Sequence, residues 1–277
     1  HTRSLHVTGV QTCALPIYYI MQVNHLSIGY QGHKVIEDVS FDIEQGKIYS
    51  IIGPNGCGKT TLMRAISRNI RPSSGQVMLD GENIFKMNTR KVARKVAVLS
   101  QTNTTMSDVS VRTLVQYGRF AHKAWWQGGD RQDEKIVDWA LEKTGMTDFA
   151  NRKINALSGG ERQRAWIAMS IAQKPEILLL DEPTTYLDIS HQLEIMELVA
   201  RLNREENITI LMVLHDINHA ARYSDELIVL KDHQIYRQGN PWDILQSDVL
   251  EKVFHVEAQI SSDSENGTPI FYAKAVI

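Results

Sequence analysis

Three things are scarce in this sequence: cysteine, an excess of charge of one sign, and long apolar runs. Two cysteines, Cys13 and Cys57, occur in 277 residues. They form neither a disulfide framework nor a metal-ligand spacing, which fits a reducing compartment. The formal net charge is -2 and the pI about 6.6, so no global basic field exists to hold a nucleic-acid backbone, and no nucleic-acid partner is expected. The longest largely apolar runs, Ile177 to Leu180 and Ile208 to Leu214, fall well short of the ~20 residues needed to cross a bilayer. The stretch before Met21 lacks the continuous apolar core of a signal peptide, and no internal repeat or long heptad pattern is visible. What is present, 43% hydrophobic and 22% charged residues, is ordinary globular material. It suffices for one large domain, or a domain plus a lobe, and excludes disordered and fibrous classes.

Val7 to Ile17, VTGVQTCALPI, is similar to the translation of a common sequencing-library adapter. Residues 1–20 are therefore expected to be an unstructured artefact, with the natural chain starting near Met21 and Cys13 carrying no meaning. From Met21 to Ile43 an alternating pattern punctuated by Gly and Asn predicts two strands, Val23 to Tyr30 and Val35 to Ile43. A buried strand, Lys47 to Ile52, then enters a glycine-rich turn and a helix from Lys59 to about Arg68. Val77 to Leu79 and Val96 to Leu99 read as further short strands. Between Gln101 and Leu157, Val111, Leu114, Val115 and Gly118, and again Ile136, Val137, Ala140 and Leu141, fall at helical spacing, predicting a helical lobe over about 101–158. Alternating helix and buried strand then resume, with strands Ile177 to Leu180 and Ile208 to Leu214 flanking a helix from His191 to Asn203. Leu227 to Leu230 and Gln234 to Tyr236 suggest a hairpin around Asp232 and His233. The tail over 261–277 carries no recognisable chemistry, so the fold expected is α/β with a helical insertion.

Three motifs carry chemistry. Gly53-Pro54-Asn55-Gly56-Cys57-Gly58-Lys59-Thr60 is a GxxxxGKT phosphate loop lying between a strand and a helix. Its glycines let backbone N–H groups turn toward phosphate and the helix start adds its positive end. Lys59 is placed to bridge the β- and γ-phosphates of ATP, and Thr60 to ligate Mg2+. By itself the loop says only that a nucleoside triphosphate binds. Glu176 to Glu182, EILLLDE, ends a buried strand in two acids, costly inside unless they meet a cation or lie at the strand tip. Asp181 suits magnesium and Glu182 suits polarisation of an attacking water. Ser158 and Glu161 have the spacing of a capping box and start a helix over Arg162 to Ala172, while Gly159 and Gly160 leave its first N–H groups bare to attract phosphate.

Leu157-Ser158-Gly159-Gly160-Glu161-Arg162-Gln163-Arg164, downstream of the phosphate loop and upstream of the acidic strand, closely resembles the signature sequence of ABC ATPases. The resemblance runs from about Met21 to Glu257 with every element in order. It implies a P-loop NTPase (RecA-like) core with N-terminal antiparallel strands and an inserted helical subdomain, the nucleotide-binding domain occupying 21–260. By the resemblance, Tyr30 stacks on adenine, and Thr61 joins the phosphate loop in holding the nucleotide. Gln101 stands near magnesium and the attacking water, His215 contacts the γ-phosphate, and Tyr186-Leu187-Asp188 joins two subunits. Taken alone, His215 and His219 would equally suit a helical metal pair. In the family two copies pair head to tail, so Ser158, Gly159, Gly160 and Glu161 of one face the phosphate loop of the other across ATP. ATP binding closes the pair and hydrolysis releases it.

Glu161 to Met169, Leu187 to Gln192, and His215 to Tyr223, with Tyr117-Gly118-Arg119-Phe120, resemble the ATPases of ferric-siderophore importers. Haem and cobalamin importers share parts of these strings. The resemblance implies transmembrane permease partners docked beside Gln101, a substrate-binding protein acting through them, and a peripheral place on the cytoplasmic face of the cell membrane. Cys57 stands where the family more often has Ser, and Ala121 where Pro is frequent before His122. A soluble ABC ATPase acting on DNA or the ribosome would show a long coiled coil or a second motif set, and neither is present. A regulatory module that binds without hydrolysing would have no need of Glu182 and His215. Trp125 and Trp126, flanked by Gly128 and Gly129, suggest either a partner surface or packing within the lobe.

Overall fold

The computed structural model describes residues 18–277 except 31–32, 102–107 and 123–130 and the side chains of Tyr30 and His33. The expectations for Val7 to Ile17, for the adenine contact of Tyr30, and for Trp125 and Trp126 lie outside the described residues.

Two sheets share one core. The antiparallel sheet has β1 (Tyr19–Tyr30) and β2 (His33–Glu44) as a long hairpin. After β3 (Ile48–Ile52) the chain returns to it with β4 (Ser74–Leu79) and the short β5 (Glu82–Asn83), in the order β2-β1-β4-β5. The second sheet adds to β3 the strands β6 (Val96–Leu99), β7 (Ile177–Asp181), β8 (Thr209–Val213), β9 (Glu226–Lys231) and β10 (Gln234–Gly239), in the order β10-β9-β3-β8-β7-β6. All its pairings are parallel except β9 with β10, whose turn is made by Asp232 and His233, both at positive φ.

Every residue of β3, β7 and β8 is buried, as continuous apolar strands covered on both faces must be. Their side chains alternate between two hydrophobic clusters. Ile48, Ile52, Leu178, Leu180, Ile210 and Met212 face one, and Tyr49, Ile51, Ile177, Leu179, Leu211 and Val213 the other, which also holds β1, β2 and β4.

Between the strands run α1 (Lys59–Ile66) and α2 (Thr89–Lys95), then α3 (Val111–Tyr117), α4 (Arg131–Lys143), α5 (Gly159–Ala172), α6 (Ile189–Glu206) and α7 (Ile217–Tyr223). The helix expected to reach Arg68 stops at Ile66, because Ser67 caps it and Arg68 takes a positive φ. In the lobe α3 and α4 pack on α5. The buried Arg119 pairs with Asp133 at 2.8 Å and donates from Nη1 to the Ala172 carbonyl at 2.7 Å, fastening all three helices. Gln173, just past α5, reaches into the core and donates its amide to Val96 O at 2.8 Å and to Ala93 O.

Two boundaries differ from the sequence-based expectation. β1 begins at Tyr19, so a limit at residue 20 falls inside a strand: Ile20 is fully buried, its carbonyl accepts from Asp80 N, and the Tyr18 hydroxyl donates to Asp80. At the other end, α8 (Pro241–Ile244) and α9 (Ser247–Phe254) lead into a hairpin of β11 (Val256–Ser262) and β12 (Pro269–Val276). This hairpin is tied to α7 by a reciprocal pair, Asn218 Nδ2 donating to Phe271 O at 3.3 Å and Phe271 N to Asn218 Oδ1 at 3.0 Å. Among the described residues no helix is long and apolar enough to cross a membrane.

Candidate nucleotide site

The parallel sheet brings the loop after β3 beside the ends of β7 and β8. Gly53, at φ 151°, opens the turn, and a Cβ there would lie 2.2 Å from the Leu230 carbonyl of β9. No other residue lets the loop press against that strand. Gly58 is the N-cap of α1, with no side-chain cap and no acid in the first turn, so the first N–H groups of the helix keep their capacity for an anion. Lys59 is buried, and its ammonium donates to Gly53 O at 2.8 Å and Pro54 O at 2.9 Å. The Cys57 side chain is buried against the loop, and burial pushes its thiol pKa up, keeping it protonated. Asn55, Gly56, Thr60 and Thr61 border a cleft of about 200 Å³ that also reaches Val35, Glu182 and His215.

Asp181, the last residue of β7, is buried, and that desolvation, reinforced by the charge of Glu182, raises its carboxyl above the usual range. The Thr60 hydroxyl donates to it at 3.4 Å. These two hard oxygen donors fit a magnesium ion held by one carboxylate and substrate phosphates, and a cation there would offset the desolvation. Among the described residues no three His, Cys, Asp or Glu side chains gather to hold a metal, and His215 turns to a carboxylate rather than to His219.

Glu182 stands at φ 54°, a left-handed conformation costing about 1–3 kcal/mol that surrounding structure must sustain. Its side chain is only 9% exposed, so its charge needs donors close by. Three supply them. His215 Nε2 lies 2.7 Å from Oε1, while Gln101 Nε2 and Thr185 Oγ1 donate to Oε2 at 2.7 and 3.0 Å.

Ser158 to Glu161 form a separate surface. The capping box is complete, with Glu161 N donating to Ser158 Oγ at 3.2 Å and Ser158 N to Glu161 Oε2 at 2.7 Å, a bond that holds the Glu161 carboxyl below its usual range. Ser158 and Gly159 are exposed, whereas Gly160 is enclosed. It is buried against His191 of α6, and a Cβ there would lie 2.6 Å from the ring's Cγ. Asp188 caps α6, accepting from His191 N at 2.9 Å and Ser190 Oγ at 3.0 Å, which lowers its carboxyl. Beside it Tyr186 and Ile189 are 97% and 76% exposed, apolar surface that a lone subunit leaves in water.

Sequence reasoning missed three contributors: Val35 beside the phosphate loop, His191 against Gly160, and Thr185 on the carboxylate. The Thr185 hydroxyl three residues after Glu182 was the one readable signal.

A phosphate loop opening a helix, an acid pair ending the next-but-one strand, and a capped glycine-rich helix start packed on α6 define an ATP-binding cassette ATPase. The chain belongs to the ABC transporter family, whose match spans residues 36–185. It is 47% identical over 250 residues to the iron(3+)-hydroxamate import ATP-binding protein FhuC of Bacillus subtilis (strain 168), covering 90% of this chain and 93% of that protein. To the ferric enterobactin transport ATP-binding protein FepC of Escherichia coli (strain K12) it is 44% identical over 245 residues, covering 88% and 90%. Among solved structures, an inward-facing ABC transporter of metal-chelate type superposes with a TM-score of 0.81 at 26% identity, covering 93% of this chain and 98% of that one.

Proposed function

We propose that this ABC ATPase is the motor subunit of an importer for an iron-siderophore complex. It works as a head-to-tail pair of copies beneath transmembrane permease subunits on the cytoplasmic face of the membrane, with a substrate-binding protein delivering the cargo. The observation that carries the cargo class is the likeness to hydroxamate and enterobactin transport proteins over about nine-tenths of both chains. The pairing is supported by the exposed Tyr186 and Ile189 and by the exposed Ser158 and Gly159, which lie outside the cleft that the phosphate loop lines.

In this reading the loop N–H groups and Lys59 bind the phosphates of ATP, with Lys59 exchanging the carbonyls of Gly53 and Pro54 for phosphate oxygens. Tyr30 stacks on the adenine, and Ser158, Gly159, Gly160 and Glu161 of the second copy complete the site beside Asp188. Thr60, Asp181 and Gln101 would hold magnesium, which when bound would supply positive charge to the phosphates. Glu182 accepts a proton from the attacking water and His215 steadies the γ-phosphate. The 2.7 Å contact between His215 and Glu182 supports this assignment of paired roles.

Uptake of labelled iron, given as ferric hydroxamate, as ferric catecholate or as haem, tests the cargo in cells carrying the intact gene or Lys59→Ala. Selective loss with one siderophore class is expected, and unchanged uptake of all three refutes the iron assignment. In vitro, Lys59→Ala should lose tight ATP binding by calorimetry, because the loop loses its phosphate-facing cation; normal binding contradicts that role. Glu182→Gln should bind ATP, hydrolyse it about 100-fold more slowly or worse, and elute as an ATP-bound dimer. Full hydrolysis with no dimer removes Glu182 from the mechanism.

A further inference from the structure

We propose that Thr185 is a positioning residue for Glu182, the one partner that holds the carboxylate in place while its other two turn to the nucleotide. This rests on the reading of Glu182 as the base. A carboxylate that is to take a proton from water needs both a free lone pair and a fixed direction, and among the described residues three groups meet the two oxygens of Glu182, leaving about one of its four acceptor sites open on Oε1. His215 and Gln101 both have second duties in that reading, at the γ-phosphate and at magnesium. Both also come from segments remote in sequence, the end of β8 and the chain after β6. Thr185 is different. It lies three residues along the same turn, which is closed by Thr185 N donating to Glu182 O at 3.3 Å, so the backbone keeps its hydroxyl within reach of the carboxylate whatever the distant segments do.

A threonine hydroxyl in a tight turn most often bonds a nearby backbone group. Here it is aimed at the carboxylate instead, at 3.0 Å, where the charged acceptor makes the stronger bond. The same turn holds Glu182 at its left-handed φ of 54° and leads directly into Tyr186, itself at φ 64° and exposed. The hydroxyl thus spans the joint between the base and the Tyr186 to Asp188 loop. A base displaced by a fraction of an ångström loses rate steeply, whereas ground-state binding of ATP does not depend on it.

The test uses the full chain with Thr185→Val, which keeps the β-branched shape without the hydroxyl, Thr185→Ser, which keeps the hydroxyl, and Thr185→Ala as a second deletion should valine fail to fold. Each is made in the wild-type and the Glu182→Gln backgrounds, with multiple-turnover and single-turnover ATP hydrolysis measured. Thr185→Val should lower kcat about 10-fold with KM within about 2-fold of wild type, and Thr185→Ser should restore it. In the Glu182→Gln background Thr185→Val should change the residual rate by less than about 2-fold, because the group it positions is gone. A wild-type kcat in Thr185→Val, failure of serine to rescue, or an equal loss in both backgrounds overturns the proposal. Undiminished hydrolysis by Glu182→Gln instead removes the base itself, an outcome read independently of any Thr185 variant.

Discussion

An alanine at position 160 would carry its Cβ 2.6 Å from Cγ of His191, 2.9 Å from Cδ2 and 3.0 Å from Nδ1. These are atoms at the root of a ring, not the end of a flexible chain. The residue is also anchored, its N–H held by Asp188 and its Nδ1 lying 3.3 Å from Glu194. Relief therefore requires α5 and α6 to part or His191 to leave its rotamer. Overpacking of this kind costs about 1–3 kcal/mol, from which the better helix propensity of alanine returns up to about 1 kcal/mol. With two contacts under 3.0 Å to ring atoms the cost falls in the upper part of that range, about 2–3 kcal/mol, and the net loss of about 1–2 kcal/mol lowers Tm by roughly 2–8 °C. Thermal melts of Gly160→Ala, His191→Ala and the double variant measure it, and adding Gly160→Ala to His191→Ala should cost little or nothing. A Gly160→Ala melt at or above wild type, or the same penalty with His191 already truncated, refutes the contact.

Asp181→Asn should melt higher than wild type at pH 7 without nucleotide. Burial and the charge of Glu182 raise the Asp181 carboxyl above its ordinary 3.8, so the folded chain binds that proton more readily than the unfolded one. The group's contribution to stability is then greatest below 3.8 and falls as pH rises through the raised value. The gain from Asn should vanish in acid, and equal melts at pH 7 contradict the desolvation argument. Asn218→Ala removes both bonds to Phe271 and should weaken docking of the terminal hairpin by about 1–3 kcal/mol. Faster amide exchange over 256–276 is the readout, and unchanged protection there would show the pair to be incidental.

The strand, loop and helix around Lys59, the acid-tipped strand and the capping box were legible because each is local. Their spacing within eight residues fixes geometry without knowledge of what lies opposite. Ends were less legible. Tyr19 and Ile20 look like the close of an adapter-like stretch, yet the pairing of β1 with β2 and β4 draws them into the sheet. The residues from Pro269 onward carry no motif, and their partners are β11 of the same hairpin and the amide of Asn218, 53 positions away. His191 against Gly160 was hidden for the same reason: nothing local to the signature says that a ring from another helix fills the space a side chain at position 160 would need. Thr185 was visible as a residue but not as a role, since its hydroxyl had several local acceptors and only the left-handed turn at Glu182 selects the carboxylate.

The place of β3 in the sheet also sets an order on synthesis. It lies between β8 and β9, and Gly53 presses on Leu230, so the loop's supports are the last parallel strands to leave the ribosome. At about 5–20 residues per second, roughly 10–35 s separate translation of Gly53 from that of Leu230. Throughout that interval the nascent chain carries the letters of a nucleotide site without its shape, and an apolar strand with neither neighbour. The strand that carries the phosphate loop thus waits for both of its sheet neighbours until residues 209–231 are made.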